Sequence, residues 1–266
     1  MTLPNLMYNE LGTSDWLTRR DRPLNIGHRG ASAVAPQNTL AAFRRAVELG
    51  ADGVELDVQL SADGAVVVIH DFTVDKTTDG TGRVADKTLA ELKSLDAGGK
   101  FSPQFAGERI PTLAEVFEAT DGKLLVNVEL KAPDKSWNTA LVAPVLDVVR
   151  RHGMQARVLC SSFNRHVLCA MKQMAPDIPV GLLYEPASLA YARRAWLDPF
   201  VPHEARHPHY SMLTGPIVEW YHAHGLRVNT WTVDDPAEMR RHIAAGVDSI
   251  ITNKPDVLKG VLQARQ

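Results

Sequence analysis

The strongest restriction on the fold is a regular alternation of strand-like and helix-like segments along the 266 residues of the chain. Short runs rich in β-branched and apolar residues alternate with segments of helical periodicity, which is typical of βα units around a parallel sheet. The sequence predicts eight strands, over residues 24–28, 53–60, 124–130, 157–163, 179–184, 200–204, 227–233 and 249–252. It predicts helices over residues 39–49, 113–119, 139–152, 165–175, 189–195, 217–224 and 236–245, and a last one from 255. Because eight right-handed βα units can close on themselves, we expect an α/β fold of the (β/α)8 TIM-barrel type.

One segment departs from this repeat. The run VVVIHD follows the second strand through an Asp63-Gly64 turn signal, which predicts a hairpin. The stretch rich in Thr, Asp and Gly after it, about residues 71–110, is too short for an independent core. We therefore predict a small insertion on the rim of a single barrel domain of residues 23–266. Residues 1–22, which precede the alternation, are predicted to be an N-terminal extension that packs over the barrel.

Composition narrows the classes of function. Hydrophobic residues make up 45% of the chain and charged residues 23%, which is ordinary for a globular protein. The net charge is −2 and no block of Lys and Arg occurs, so neither a nucleic acid nor a membrane surface is expected as a partner. A small-molecule substrate fits better, and the sequence leaves homo-oligomerisation open.

The sequence shows no targeting or membrane segment. Residues 1–23 lack the charged and then apolar pattern of a secretory signal, and no window approaches about 20 apolar residues. The two cysteines, Cys160 and Cys169, fit neither a disulfide framework nor a CxxC metal pattern. We therefore expect a cytoplasmic protein without a membrane span.

Three carboxylates are predicted to share one site. Side chains alternate along a strand, so Glu55 and Asp57 point the same way, as do Glu129 and Lys131. All of them fall near the carboxyl ends of strands, where the active sites of such barrels lie. Converging carboxylates repel one another unless a cation or protons neutralise them, and oxygen ligands suit Ca²⁺ or Mg²⁺. The pattern therefore predicts a site for a hard divalent cation.

Two histidines and two cations accompany the carboxylates. His28 ends the first strand and His70 ends the hairpin arm after the second, and imidazoles are natural proton donors and acceptors near neutral pH. Arg29 offers a fork of donors suited to phosphate, and Lys131 offers a point charge for the same anion. An acid/base pair, a metal site and two phosphate-seeking cations together predict phosphoryl-ester chemistry.

These residues lie in segments that resemble the glycerophosphodiester phosphodiesterase family. The resemblance runs from about residue 25 to residue 258, and it is carried in order by GHRG, ADGVELDVQLSADGAVVVIHD, KTTDGTG, IPTLAEVF, VNVELK, SSF, WTVDDP and GVDSIITNKP. It implies an enzyme that hydrolyses glycerophosphodiesters to glycerol 3-phosphate and an alcohol in a metal-dependent reaction.

The resemblance also implies a role for each candidate residue. General acid and base catalysis is implied for two histidines, His28 and His70. Coordination of one divalent cation, Ca²⁺ or Mg²⁺, is implied for three carboxylates, Glu55, Asp57 and Glu129. Phosphate binding is implied for Arg29 and Lys131, and two aromatics, Phe163 and Trp231, are implied to line the pocket near the alcohol groups.

One position departs from the family pattern. Members usually have Pro-Glu-Asn-Thr where this chain reads Pro-Gln-Asn-Thr, so Gln37 keeps a similar shape and loses a charge. Two alternatives to the expected activity stay open. The first is a lysophospholipase D-like phosphodiesterase, which acts on the same bond when an acyl chain is attached. The second is a catalytically silent barrel that binds phosphodiesters, for which Gln37 is the only support.

A histidine-rich segment could be taken for a second metal-binding site. The stretch HEARHPHY places His203, His207 and His209 close together in sequence. Because it follows the predicted sixth strand and contains Pro208, we predict a loop at the rim of the pocket rather than a second metal site.

Overall fold

Parallel strands form a closed barrel in the computed structural model, which describes residues 14–18, 20–132, 137–188 and 201–264. The strands are β1 Leu24–His28, β2 Gly53–Leu60, β3 Val66–Val68, β4 Leu125–Leu130, β5 Val158–Ser162, β6 Val180–Tyr184, β7 Ala205–Pro208, β8 Arg227–Thr230 and β9 Ser249–Thr252. The pairing order is β1-β9-β8-β7-β6-β5-β4-β2, and β1 also pairs with β2, so eight parallel strands close into a ring. The short β3 lies antiparallel on the outer edge of β2. This confirms the predicted (β/α)8 TIM barrel.

Helices connect the strands on the outside of the barrel. They are α1 Leu40–Glu48, α2 Leu89–Ser94, α3 Leu113–Ala119, α4 Val142–Arg151, α5 Arg165–Met174, α6 Gly215–Ala223, α7 Pro236–Ala245 and α8 Pro255–Gln263. Several begin at a side-chain cap: Thr39 accepts a hydrogen bond from the Ala42 amide at α1, and Asp235 accepts from two amides at α7. At the end of α7, Gly246 adopts a left-handed backbone (φ 86°), which glycine tolerates without a Cβ clash. Among the described residues, no helix is both long enough and apolar enough to cross a membrane.

Seven of the predicted strands agree with the structure to within three residues at either end, and the sixth is wrong. The sixth was expected over residues 200–204, whereas the strand is Ala205–Pro208. Its centre holds Arg206 and His207, both fully buried, and Arg206 lies 5.4 Å from the ring centroid of Tyr184. A polar strand inside a barrel lacks the apolar signal on which the prediction depended. The helix predicted over residues 189–195 lies outside the described residues.

Residues between β3 and α3 build a small layer on one side of the barrel. The antiparallel β2–β3 pair, with Val58 opposite Val68, leads into this layer. The layer includes α2, which begins with a capping box formed by Thr88 and Glu91. Its own buried apolar cluster contains Val67, Ile69, Val74, Val84, Leu92, Ala97 and Ile110. This cluster fixes the backbone that follows β3, where His70 lies.

Trp16 packs against the amino-terminal end of the barrel. Its side chain is 3% exposed and belongs to a cluster with residues at or near the starts of strands, including Leu24, Leu125 and Ala205. Its indole N–H donates to the carbonyl oxygen of Arg157 at 2.9 Å. Trp16 thus covers the end of the barrel opposite the strand ends that carry the predicted site.

We expect Trp16→Ala to lower the free energy of unfolding by roughly 3–5 kcal/mol, because it removes a buried aromatic side chain and leaves a cavity. Urea denaturation followed by circular dichroism measures this change. The matched control is Trp220→Ala, which truncates a tryptophan that is 46% exposed and should cost less than about 1 kcal/mol. A loss for Trp16→Ala below about 1 kcal/mol, as small as that expected for the control, would show that Trp16 does not stabilise the barrel.

Candidate active site

The polar residues predicted from the sequence meet at the carboxyl-terminal end of the barrel. Glu55 and Asp57 lie in β2, Glu129 lies in β4, and His28 ends β1. In the parallel pairing of β2 with β4, Asp57 stands opposite Glu129. In the pairing of β1 with β2, His28 stands opposite Glu55. Strand register alone therefore places these four side chains in adjacent positions.

A cavity of about 240 Å³ opens above them. Eight of the nine predicted site residues line it, namely His28, Arg29, Glu55, His70, Glu129, Lys131, Phe163 and Trp231. The ninth, Asp57, is fully buried and contacts the side chains of Arg29 and Lys131. The structure thus brings all nine residues together at one end of the barrel.

The three carboxylates form a buried acidic cluster. Glu55, Asp57 and Glu129 offer oxygens that all lie within 4.8 Å of one another. Burial raises the pKa of Glu55 well above its usual value, and the charges of Asp57 and Glu129 raise it further. Burial, and then the charge of Asp57, also raise the pKa of Glu129. The cluster is therefore a place where added positive charge would be stabilising.

Two side-chain cations neutralise part of this charge. Lys131 Nζ lies 2.8 Å from Glu129 Oε1 and 3.5 Å from Asp57 Oδ1, while Arg29 Nε lies 3.2 Å from Asp57 Oδ2. Burial acts to raise the pKa of Asp57, but the charges of Arg29 and Lys131 outweigh it, so that pKa lies below its usual value. Three carboxylates thus face two cations, which leaves negative charge for a further ligand.

The donor set fits a hard divalent cation. All three side chains offer oxygen atoms, the ligands that Ca²⁺ and Mg²⁺ prefer. Asp57 Oδ1 is buried and accepts no hydrogen bond within the described part of the chain. Lys131 Nζ lies 3.5 Å from this oxygen but makes no hydrogen bond to it, so a metal ion in direct contact would offset the remaining cost of its burial. Glu55, Asp57 and Glu129 are therefore the residues that could hold a metal ion.

The loop after β1 is held in an unusual backbone conformation that aims groups at the cluster. Arg29 and Asn38 both adopt positive φ, 54° and 58°, which is uncommon for residues other than glycine. The backbone N–H of Asn38 donates to the backbone carbonyl of Arg29 at 3.0 Å, and the backbone N–H of Arg29 donates to Glu55 Oε2 at 3.1 Å. Asn38 Nδ2 also donates to Asp57 Oδ2 at 2.9 Å. Asn38 was not among the site residues predicted from the sequence.

A chain of hydrogen bonds fixes the orientation of His28. Its Nδ1 lies 2.7 Å from Asn253 Oδ1, which also accepts from the hydroxyl of Ser32. Asn253 Nδ2 donates to Asp234, so the Asn253 oxygen faces the ring and Nδ1 of His28 carries the hydrogen. Nε2 then remains for proton transfer and lies 3.9 Å from Glu55 Oε2. Burial, and then the charge of Arg29, lower the pKa of His28 to about 4.

His70 has a carboxylate partner instead. Its Nδ1 lies 2.7 Å from Asp71 Oδ1, an arrangement that holds the ring and leaves Nε2 for proton transfer. The backbone here is also fixed, because Gln59 Nε2 donates to the carbonyl oxygens of Ile69, His70 and Asp71. Burial lowers the pKa of His70, although the charge of Asp57 opposes this. The two imidazoles thus have different supports, an amide for His28 and a carboxylate for His70.

Two aromatic rings form another part of the cavity lining. Phe163 follows β5 and Trp231 follows β8, and their rings meet edge to face with centroids 5.8 Å apart. The Trp231 indole N–H donates to the carbonyl oxygen of His207 at 2.8 Å, which fixes the ring. These rings offer an apolar surface for the carbon atoms of a bound molecule, while the cations and histidines offer polar contacts.

Comparison with known proteins identifies the family. The family model described as "Glycerophosphoryl diester phosphodiesterase family" matches residues 28–257. The chain belongs to this family. The match spans the barrel from the end of β1 to α8 and confirms the resemblance seen in the sequence.

Members of this family are similar to the chain over most of their length. The glycerophosphodiester phosphodiesterase of Caldanaerobacter subterraneus subsp. tengcongensis is 46% identical over 243 residues, covering 89% of this chain and 96% of that protein. The glycerophosphodiester phosphodiesterase of Bacillus subtilis is 33% identical over 254 residues, covering 91% and 87%. An Oleispira antarctica phosphodiesterase, solved in complex with the product sn-glycerol-3-phosphate, superposes with a TM-score of 0.83 at 32% identity, covering 91% and 97%.

Gln37, the departure from the family pattern, contacts a cation and none of the three carboxylates. Its Oε1 accepts a hydrogen bond of 2.7 Å from Arg29 Nη1. Arg29 in turn pairs with Asp57, so the guanidinium group connects Gln37 to the acidic cluster. A carboxylate at this position would compete with Asp57 for Arg29, whereas the amide leaves the positive charge to Asp57.

We expect Gln37→Glu to change turnover by less than about tenfold and the metal concentration for half-maximal activity by a few fold, because the new charge is separated from the cluster by Arg29. Titration of activity with Mg²⁺ or Ca²⁺ measures both quantities. Gln37→Ala serves as the control, since it removes the acceptor without adding charge. A rise from no detectable turnover in the wild type to measurable turnover in Gln37→Glu would instead favour the silent barrel.

The sequence predicted a loop at the pocket rim for the histidine-rich segment, and this prediction is wrong because the centre of the segment forms β7. His203 is buried before β7, and His207 is fully buried within it, where burial lowers its pKa to about 3. Only His209 extends past the strand end, and its ring lies 5.3 Å from the ring of Trp231. The segment was misread because its strand is polar and was placed five residues too early.

Proposed function

We propose that the chain hydrolyses glycerophosphodiesters to glycerol 3-phosphate and an alcohol. The observation that carries the proposal is the placement of two oriented imidazoles in the same cavity as three buried carboxylates and two cations. Membership of the family, with similarity over most of its relatives' length, supports the same substrate class. So does the product complex of the Oleispira antarctica phosphodiesterase, which contains sn-glycerol-3-phosphate.

The chain's own residues would bind and orient the phosphate. Arg29 and Lys131 line the cavity and bring donors for phosphoryl oxygens, and their charges would stabilise the negative charge that develops on phosphorus. A divalent cation, which we propose to be Ca²⁺ or Mg²⁺ held by Glu55, Asp57 and Glu129, would supply Lewis-acid polarisation of a phosphoryl oxygen when bound. The edge of the Phe163–Trp231 pair would contact the carbon atoms of the glycerol arm.

The two histidines would share the proton transfers. One imidazole would take the proton of the attacking hydroxyl at Nε2, and the other would give a proton to the leaving alcohol oxygen. The attacking group is either a water molecule or the vicinal hydroxyl of the glycerol arm. Attack by the glycerol hydroxyl gives a cyclic phosphate first, which water then opens. Asn253 and Asp71 would keep the Nδ1 hydrogens in place, so that Nε2 of each ring faces the reacting atoms.

The test is release of choline by the purified chain with Mg²⁺ or Ca²⁺ supplied, because choline leaves both substrates, together with glycerol 3-phosphate from glycerophosphocholine and with lysophosphatidic acid from lysophosphatidylcholine. Glycerophosphocholine and lysophosphatidylcholine are compared as substrates. We expect turnover of the first to exceed that of the second. Preferential cleavage of lysophosphatidylcholine would favour a lysophospholipase D-like enzyme. No product from either compound, with binding of glycerophosphocholine retained, would favour a silent phosphodiester-binding barrel.

A further inference from the structure

A second cavity lies beside the active site, on the side of the segment 71–110. Its volume is about 440 Å³, and we call it the lysine groove after Lys76 and Lys100, which line it together with Phe101. Gln37 and Asn253 also line it, and these two residues hold Arg29 and His28 in the active site. Gln37 and Asn253 therefore lie between the groove and the active site.

The groove is separate from the aromatic part of the catalytic cavity. Phe163 and Trp231 line the catalytic cavity, whereas Phe101, with Ala33 and Pro36, supplies the apolar lining of the groove. The molecule thus offers two differently lined spaces, whose linings are joined by the His28–Asn253 and Arg29–Gln37 hydrogen bonds. A phosphodiester has two alcohol arms, and each space could take one of them.

The charges that face the groove are two cations and one carboxylate. Lys76 is an exposed side chain whose Nζ forms an ion pair with Asp71 Oδ2 at 3.8 Å, while Asp71 contacts the His70 ring through its other oxygen, Oδ1. Lys100 Nζ donates to the backbone carbonyl of Asp75. The carboxylate is Asp234, and both of its oxygens accept hydrogen bonds from residues 252 and 253. The lining itself thus carries two cations and one hydrogen-bonded carboxylate, and Asp71 beside it offsets part of the positive charge.

From this arrangement we propose that the lysine groove receives the alcohol arm that leaves, and that it selects leaving alcohols which carry their own negative charge. The inference rests on the proposed function, which places the glycerol arm of the diester against Phe163 and Trp231. It adds a binding place for the other arm, the alcohol that leaves. The ligand class is a polar alcohol with an anionic group, such as a phosphorylated polyol. A quaternary ammonium alcohol would meet two cations instead.

The experiment compares three diesters whose leaving alcohols differ in charge: glycerophosphocholine, glycerophosphoinositol and glycerophosphoinositol 4-phosphate. We expect kcat/KM to rise in that order in the wild type. In the Lys76→Gln/Lys100→Gln double variant, the ratio between the last and first substrates should fall by up to about tenfold, as expected for loss of two exposed charge contacts. High salt should reduce the same ratio in the wild type. Lys87→Gln, on the same segment but outside the groove lining, is the matched control.

A second measurement needs no turnover. Calorimetry with inositol 4-phosphate reports binding of the released alcohol alone, and we expect the double variant to bind it several-fold more weakly than the wild type. Hydrolysis of all three diesters at one rate, or inositol phosphate binding that the double variant leaves unchanged, would overturn the assignment of the groove. Absence of hydrolysis in the wild type would instead overturn the proposed function, and the binding measurement would still decide whether the groove selects anionic alcohols.

Discussion

Replacement of His28 or His70 by alanine is expected to lower kcat by about 10²–10⁴-fold, the range for loss of a general acid or base. Each ring lines the catalytic cavity and has its Nδ1 hydrogen bonded to a fixed acceptor, Asn253 Oδ1 or Asp71 Oδ1. Alanine removes Nε2, the atom placed for proton transfer, and leaves the carboxylate cluster intact. The measurement is steady-state release of glycerol 3-phosphate at saturating substrate and metal.

Folding controls keep this result interpretable. Circular dichroism and thermal unfolding of both variants should stay close to the wild type, because the two side chains lie at a cavity surface rather than within an apolar cluster. His224→Ala provides a matched substitution away from the site, since the His224 ring, at the end of α6, hydrogen-bonds the carbonyl oxygen of Trp220 and stacks on the Trp220 ring. Near-wild-type kcat in His28→Ala or His70→Ala would exclude that histidine from proton transfer.

Much of the fold and of the site could be predicted from periodicity. Alternation of side chains along a strand places Glu55 and Asp57 on one face, and the carboxyl ends of parallel strands meet at one end of a barrel. The first rule is local, and the second requires only the barrel fold that the alternation of strands and helices predicts. The alternation of strands and helices predicted the barrel, and these rules with the chemistry of the residues predicted seven members of the site, whereas Phe163 and Trp231 were implied only by the family resemblance; the structure brings all nine together.

The parts that could not be predicted depend on contacts between residues distant in sequence. Asn253 lies 225 positions from His28, and nothing local indicates that its amide would orient the imidazole. Asp234 supports Asn253 in turn, across a loop before α7. The β7 strand was misplaced for a related reason, since Arg206 and His207 are buried against neighbouring strands and look solvent-exposed in a sequence. Polar residues inside a barrel acquire their roles only from tertiary neighbours.

Removal of divalent metal is expected to abolish turnover, and added Mg²⁺ or Ca²⁺ should restore it. The reason is electrostatic: Glu55, Asp57 and Glu129 hold oxygens within 4.8 Å of one another, and Arg29 and Lys131 offset only part of their charge. A bound cation should also stabilise the fold, by about 2.7 kcal/mol at a metal concentration 100 times the dissociation constant. Dialysis against a chelator, followed by activity and thermal-unfolding measurements with each metal, tests both expectations.

Asp57→Asn separates coordination from general charge effects. The amide keeps the size of the side chain and loses the charge of the fully buried member of the cluster, so the metal-dependent rise in unfolding temperature should largely disappear. Apparent metal affinity should fall by at least about 100-fold, because loss of even an outer-shell partner of a metal ligand typically costs 10–100-fold. Glu219→Gln removes an exposed carboxylate on α6 and should leave both quantities unchanged. Full activity of the wild type in excess chelator, with no metal found by elemental analysis, would contradict the metal site. An Asp57→Asn variant with the same metal response as the wild type would exclude this carboxylate as a ligand.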